Sequence, residues 1–386
     1  MANDDKQPFP WYLGVFDAHC HPTDTLSSLP DIPNMKARVL TVMATRAQDQ
    51  DLVADAAKDL SITHSDSDLF HEERRKASIV PSFGWHPWFS HQLYSPHSST
   101  SSSLSHSEKV SHYQSVLTPP PSTSFIATLP SPHPISSFLS STRAKLQSNP
   151  LALVGEIGID RGFRLPEPWT EPEQEARDEG LTPGGREGRK LSPHRVAVRH
   201  QQFVLTEQLR LAGEMGRAVS VHGVQAHGIL HDTLAATWKG WERKGGKAAK
   251  REAAARKREG TVEEEDREDG EGERGLRPFP PRICLHSYSG PAETVKQYLR
   301  PEVPVEIYFS FSSVINFDPP TGRVEDAVRA VPDDRVLVES DLHTAGERMD
   351  DMLEEIVRKI CELKGWELED GVRRLRDNWK RFVLGE

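Results

Sequence analysis

Two histidines one residue apart, His19 and His21, close a short apolar run near the amino terminus, in the order Asp17-Ala18-His19-Cys20-His21. Side chains alternate across a strand, so Asp17, His19 and His21 share one face of an extended segment. Two imidazoles so placed suit one divalent ion, and Asp17, one layer deeper, would orient an imidazole from behind. Alone, the pair is as readily two satisfied core histidines. Four more residues of ligand type also stand at the ends of apolar runs. Glu156 lies in Val154-Gly155-Glu156-Ile157-Gly158, where burying an acid is costly unless it meets a cation; a partner such as Arg161 is the plainer alternative. His222 ends Val219-Ser220-Val221-His222, His286 ends Ile283-Cys284-Leu285-His286, and Asp341 follows Val338-Glu339-Ser340. Six such residues in one type of position predict a shared metal centre able to activate water for hydrolysis.

The elements that must position them follow from the apolar pattern. Short runs at Leu13–Phe16, Val39–Met43, Ile79–Phe83, Leu151–Ile157, Ala218–His222, Ile283–His286, Val305–Phe309 and Val336–Glu339 read as buried strands. Helical periodicity intervenes over Asp49–Leu60, Val196–Met215, Ala292–Tyr298 and Arg323–Ala330, and two helices, Glu347–Leu363 and Leu368–Phe382, close the chain. Strands alternating with helices predict a β/α barrel, whose chemistry sits at the carboxyl ends of its strands. No Gly-rich phosphate loop follows the first strand, which disfavours a doubly wound open sheet.

The 386 residues carry 48 basic and 58 acidic side chains, a net charge of -10, with a mean hydropathy of -0.60. That balance argues against coating nucleic acid or anionic membrane by bulk attraction. A nuclease stays open, because a cation in the pocket supplies local positive charge. The low hydropathy is assigned to three polar insertions in one domain spanning 1–386. Segment 91–147 is rich in Ser, Pro and His and reads as a mobile insertion ending in a short helix around Phe138, Leu139 and Leu146. Segment 167–192 contains Pro183-Gly184-Gly185. Segment 239–277 joins a basic block to an acidic one and reads as a solvated extension. Three cysteines, Cys20, Cys284 and Cys361, suggest reduced thiols in a cytoplasmic or nuclear protein. Neither a signal-peptide pattern nor a membrane-length apolar run is present. Trp85 and Trp88 read as packing at a loop root, Cys284 as core, and His91, His97, His106, His112 and His133 as no part of a metal site.

Five motifs occur in order: Asp17-x-His19-x-His21, Gly84-Trp85-His86-Pro87, Gly155-Glu156-Ile157-Gly158-Ile159-Asp160, His286-Ser287-Tyr288-Ser289-Gly290 and Glu339-Ser340-Asp341. The set resembles the signatures of TatD-related metal-dependent hydrolases, and Asn378-Trp379-Lys380-Arg381-Phe382 resembles that family's closing helix. The resemblance implies a TIM-type (β/α)8 barrel, amidohydrolase-like, with one or two divalent ions (Mg, Mn or Zn). It implies that His19, His21 and Asp341 hold the first ion, that Glu156 bridges, and that His222 and His286 hold the second. His86, Tyr288 and Ser289 would lie on the substrate side. Asp341 would accept a proton from the attacking water, and the expected reaction is cleavage of a phosphodiester, in DNA or a nucleotide. An amide or ester hydrolase on the same site is the alternative, as is an interaction module with weak or no catalysis. The insertions and Asp160-Arg161-Gly162 look like a fungal branch whose members are named as interactors of a TPR subunit of the anaphase-promoting complex, so a TPR protein is an expected partner. Two departures stand out. Val224 occupies a place where the family often has arginine, and Leu342-His343 replaces a usual proline.

Overall fold

A computed structural model describes residues 7–60, 62, 76–95, 104–243, 277–318 and 322–385. Eight parallel strands form one sheet: β1 Phe16–Cys20, β2 Val39–Met43, β3 Ser78–Phe83, β4 Leu153–Asp160, β5 Val219–Val224, β6 Arg282–Leu285, β7 Glu306–Phe311 and β8 Val336–Val338. Each strand pairs with its neighbours in chain order. The sheet curls until its edges meet. Beyond β8, the Asp341 N–H donates to the His19 carbonyl at 3.0 Å, and the His21 N–H donates to the Leu342 carbonyl at 2.8 Å. The expected (β/α)8 barrel is therefore present. Its first strand begins at Phe16 rather than Leu13, because Trp11–Leu13 form a 3-10 turn that ends at Gly14 with φ +85°.

All eight strands are buried almost throughout, as continuous apolar runs require. Outside them pack α1 Gln50–Leu60, α2 His106–Val116, α3 Thr123–Thr128, α4 Ile135–Ser148, α5 Val198–Glu214, α6 His227–Thr237, α7 Ala292–Tyr298, α8 Gly322–Ala330 and α9 Glu347–Lys364. The final helix, α10 Leu368–Leu384, plugs the amino-terminal end of the barrel. Its Trp379 and Phe382 meet a layer drawn from the strands, including Phe16, Val39, Val80, Leu153, Tyr308 and Leu337, and Trp379 Nε1 donates to Thr41 Oγ1 at 3.0 Å. Only the opposite rim is left open to a ligand. Among the described residues no helix is long and apolar enough to cross a membrane.

The insertions differ from their sequence reading. Residues 104–148, expected as a mobile segment with one closing helix, form α2 and α3 around a small core of Tyr113, Val116, Ile126 and Leu165, followed by α4, whose Ile135 and Phe138 pack with Trp85 and Val204. Its few apolar residues suffice because they are concentrated on contacting faces, and Ser105 and Glu108 form a capping box at the start of α2. The segment 167–192 is fastened to the barrel rim, as described below. Most of 239–277, the expected charged extension, lies outside the described residues, as does His97.

His91 is only 4% exposed, and its Nδ1 has no hydrogen-bond partner. Burial, together with the neighbouring His200 and His112, pushes its pKa down to about 3; His200, also buried, is pushed down to about 4. A depressed histidine contributes stability that is intact above the unfolded value of 6.5 and is lost as pH falls below it. From pH 6.5 to 5 the His91 contribution alone amounts to about 2 kcal/mol. Denaturant midpoints measured across that range are expected to fall, and to fall less steeply in His91→Gln. An equal slope in the variant would assign the acid sensitivity to other groups.

Candidate metal centre

The open rim gathers the six sequence-predicted ligands around Glu156. Its Oε2 lies 3.6 Å from His19 Nε2 and 3.5 Å from His21 Nε2. Its Oε1 lies 2.7 Å from both His222 Nδ1 and His286 Nε2. Asp341 Oδ1 completes the first set, 3.4 Å from His21 Nε2 and 3.8 Å from His19 Nε2. Glu156 thus faces two donor sets, one with each oxygen.

Local backbone chemistry makes this approach possible. Gly155 has φ +145°, and a Cβ there would stand 2.6 Å from the Ser220 carbonyl oxygen. A Cβ on Gly158 would stand 2.0 Å from the His222 carbonyl oxygen. The two glycines let β4 press against β5, which brings Glu156 to His222.

The electrostatics favour an ionised carboxylate pair among imidazoles. Burial would raise Glu156, but the nearby His86 and His286 imidazoles and hydrogen bonds from His19 and His222 hold it well below the usual carboxylate range. Burial would likewise raise Asp341, yet the His21 hydrogen bond and the nearby imidazoles hold it down. Burial alone would lower His21, but Asp341 and Glu156 bring it up to about 9. Two ring nitrogens approach each other in each set, His19 Nε2 to His21 Nε2 and His222 Nδ1 to His286 Nε2, both at 3.1 Å. Facing lone pairs at that distance require a proton or a cation between them. The donors therefore suit a divalent ion, and three overlapping groups within this cluster have ligand atoms close enough to hold one.

Glu339 Oε1 lies 3.6 Å from His286 Nδ1, beyond hydrogen-bond distance. The far sides of two other rings are occupied: Ser220 Oγ lies 2.8 Å from His19 Nδ1, and Asp160 Oδ2 lies 3.2 Å from His222 Nε2. Such partners fix the tautomer that points a lone pair at the centre. Asp160 and Glu339 were quoted in motifs but given no role, although alternation places Asp160 on the face of Glu156 and Glu339 on that of Asp341. Asp160 accepts further from Trp88 Nε1 at 2.5 Å. Asp160→Asn is expected to weaken metal affinity by about 10- to 100-fold, measured by titrating metal into chelator-stripped protein. An affinity equal to the parent would remove Asp160 from the orienting role.

Several expectations need correction. Asp17 orients no imidazole: Oδ1 accepts from the backbone N–H groups of His19 and Ser340, at 3.0 and 3.1 Å, and Oδ2 accepts from Ser340 Oγ at 2.6 Å. It ties β1 to the end of β8, and burial raises it to about 7. Tyr288, expected near substrate, is buried; its ring packs edge-on to Phe309 at 5.1 Å and its hydroxyl donates to the Pro291 carbonyl. Ser289 does line the cavity. His86 lines it too, with Nε2 3.1 Å from Glu156 Oε1. Its Nδ1 accepts the Trp88 N–H at 3.1 Å, so the neutral ring carries its proton on Nε2 and donates to Glu156 rather than offering a lone pair. Trp85 is buried packing, as expected, whereas Trp88 stacks on Phe163 at 4.5 Å and forms a cavity wall. Cys20 and Cys284 point into the core, bonded to the Thr41 carbonyl and Ser310 Oγ.

The cavity holds about 540 Å³, and its outer wall comes from the polar insertion, including Leu181, Thr182 and Arg186. The Leu26 N–H donates to the Gly180 carbonyl, and the Thr182 N–H donates to the Asp24 carbonyl. Buried Arg46 donates through Nε to the Pro183 carbonyl and through Nη2 to the Thr182 carbonyl, while pairing with Asp24 at 2.8 Å and Asp49 at 3.2 Å. Its charge is neutralised within this strut.

A family model described as TatD related DNase matches residues 16–383. The chain belongs to that family. Its TatD-type hydrolase barrel spans nearly all of the sequence, as the ordered motifs implied. The Cut9-interacting protein scn1 of Schizosaccharomyces pombe is 38% identical over 374 residues, covering 96% of this chain and 98% of that one. A Saccharomyces cerevisiae protein described as an uncharacterized deoxyribonuclease is 28% identical over 69% of this chain and 67% of its own. Among solved structures, the TatD homologue YjjV of Escherichia coli aligns over 97% of this chain and 99% of its own, with TM-score 0.50 and 14% identity. An uncharacterized amidohydrolase from Saccharomyces cerevisiae covers 97% of this chain and 100% of its own, with TM-score 0.52 and 12% identity. These two likenesses agree on the barrel.

Proposed function

We propose that this TatD-type hydrolase cleaves phosphodiester bonds in DNA at a centre of two divalent ions. The observation that carries the reading is Glu156, whose two oxygens face separate donor sets: His19, His21 and Asp341 on one side, His222 and His286 on the other. Bound there, divalent ions would supply Lewis acidity, lowering the pKa of a water toward about 7 and neutralising charge on the phosphoryl oxygens. Imidazoles mixed with carboxylates suit Mn or Zn, and Mg where substrate oxygens complete the shell. Asp341, ionised and open to the cavity, accepts the proton of the attacking water and returns it to the leaving oxygen. His86 donates to Glu156 and holds the bridging carboxylate in place. The stacked Trp88 and Phe163 offer a π-face to a base, which favours a nucleotide over a small ester.

The decisive assay incubates purified protein with an end-labelled oligonucleotide in Mg or Mn, beside a chelator control and a panel of esters and amides. Metal-dependent release of nucleotides supports the reading. Turnover of an ester or amide with DNA left intact would replace it. The fission yeast relative is named for its interaction with Cut9, and a protein of that kind is a candidate partner for this chain. Segment 239–277 is the proposed contact, so partners captured equally with and without it would withdraw that assignment.

A further inference from the structure

The turn that follows β4 borders two hollows at once. Phe163 stands on the metal-site side, stacked on Trp88, while Arg161 lines a second groove of about 750 Å³. That groove runs between the end of α2 and the start of α5, with Val196 and Phe203 among its apolar lining and Arg195 and Arg199 beside Arg161. All three arginines are exposed. Arg161 Nη1 donates to the Gln225 carbonyl at 3.4 Å, and Arg195 Nη1 donates to the carbonyls of Arg161 and Gly162. Among the described residues, none of the three forms an ion pair with a carboxylate. Arg143, Arg210, Arg358 and Arg373, by contrast, each pair with a carboxylate. Arg199 also occupies the first turn of α5, which has no acidic residue and where the helix dipole disfavours a cation.

We propose that the Arg161–Arg195–Arg199 groove holds the phosphate backbone of a single-stranded nucleic acid whose reacting end lies at Glu156. The inference rests on the phosphodiesterase reading and adds a route for the rest of the strand. Cations along a groove with an apolar and aromatic lining fit phosphates and bases together. The turn at 161–163 borders both hollows and so sets the groove beside the metal-site cavity. It also supplies cations outside the pocket, where Val224 and the neutralised Arg46 supply none.

The experiment compares the parent with the triple variant Arg161→Gln, Arg195→Gln, Arg199→Gln. Binding of a labelled, cleavage-resistant phosphorothioate oligonucleotide is followed by anisotropy across a salt series, and hydrolysis of an oligonucleotide is set beside that of bis-p-nitrophenyl phosphate. The triple variant is expected to bind the oligonucleotide roughly tenfold or more weakly, with the salt slope reduced by about 2 for three lost phosphate contacts. Its kcat/KM should fall at least tenfold further for the oligonucleotide than for the small diester. The single variant Arg199→Glu, which leaves the Arg195 contacts in place, should move in the same direction. Equal losses on both substrates, or an unchanged salt slope, would overturn the groove assignment while leaving the metal centre standing. An acidic peptide that binds the parent as tightly as the oligonucleotide would also overturn it. If the parent cleaves neither substrate, the phosphodiesterase reading itself fails.

Discussion

Glu156→Gln is expected to lower kcat/KM by about 10³-fold or more, because the metal contribution to charge stabilisation is several kcal/mol and each 1.36 kcal/mol is tenfold. The glutamine keeps the volume of the side chain but removes the negative charge that both donor sets share. Five imidazoles, those of His19, His21, His86, His222 and His286, stand within 3.6 Å of the carboxylate oxygens, so the lost anion cannot be replaced from nearby. An amide N–H₂ also turns a donor toward rings that must offer lone pairs to an ion. Metal content of the purified variant should fall in parallel, measured by elemental analysis against the parent. A variant that retains the parent's metal content and turnover would remove Glu156 from the proposed bridging position.

The second large effect is expected at Asp341, where asparagine should reduce kcat about 10²- to 10⁴-fold, the range for losing a positioned general base. Asparagine is the informative substitution here. Asp341 has φ +54°, a left-handed conformation that Asn tolerates and most side chains do not. The variant should therefore retain its fold and the contacts of the preceding Ser340 with Asp17. KM for the oligonucleotide should change much less than kcat, because Asp341 is asked to move a proton rather than to hold the strand. Steady-state kinetics at saturating metal separate the two quantities. A large rise in KM with kcat preserved would recast Asp341 as a binding residue.

The barrel was legible because buried parallel strands leave uninterrupted apolar runs, and all eight were visible to within a few residues. The candidate ligands were legible because His222, His286 and Asp341 each end or follow such a run. What hid was what depends on contacts between distant segments. Tyr288 follows a ligand by two residues, yet the chain has left β6 there, so strand alternation no longer says which way its ring points. Asp17 shares a strand face with His19, but its oxygens are taken by the His19 N–H and by the N–H and hydroxyl of Ser340 beyond the last strand, which no local spacing reveals. The closing helix around Phe138 and Leu146 was legible, but α2 and α3 escaped because their composition is polar on average while their few apolar residues converge in space. The outer cavity wall escaped for a similar reason: Pro183-Gly184-Gly185 reads as a loop, and Arg46 and residues 23–26, far away in sequence, fasten it over the rim.

One consequence concerns the order in which the molecule is made. His19 and His21 belong to the first strand and Asp341 follows the last, and the hydrogen bonds joining them close the cylinder. A nascent chain emerging from the ribosome lacks Asp341, the proposed proton acceptor, until the last strand of the barrel has been made. Premature termination anywhere upstream would leave the histidines and Glu156 without that carboxylate, and such fragments would lack the proposed metal centre.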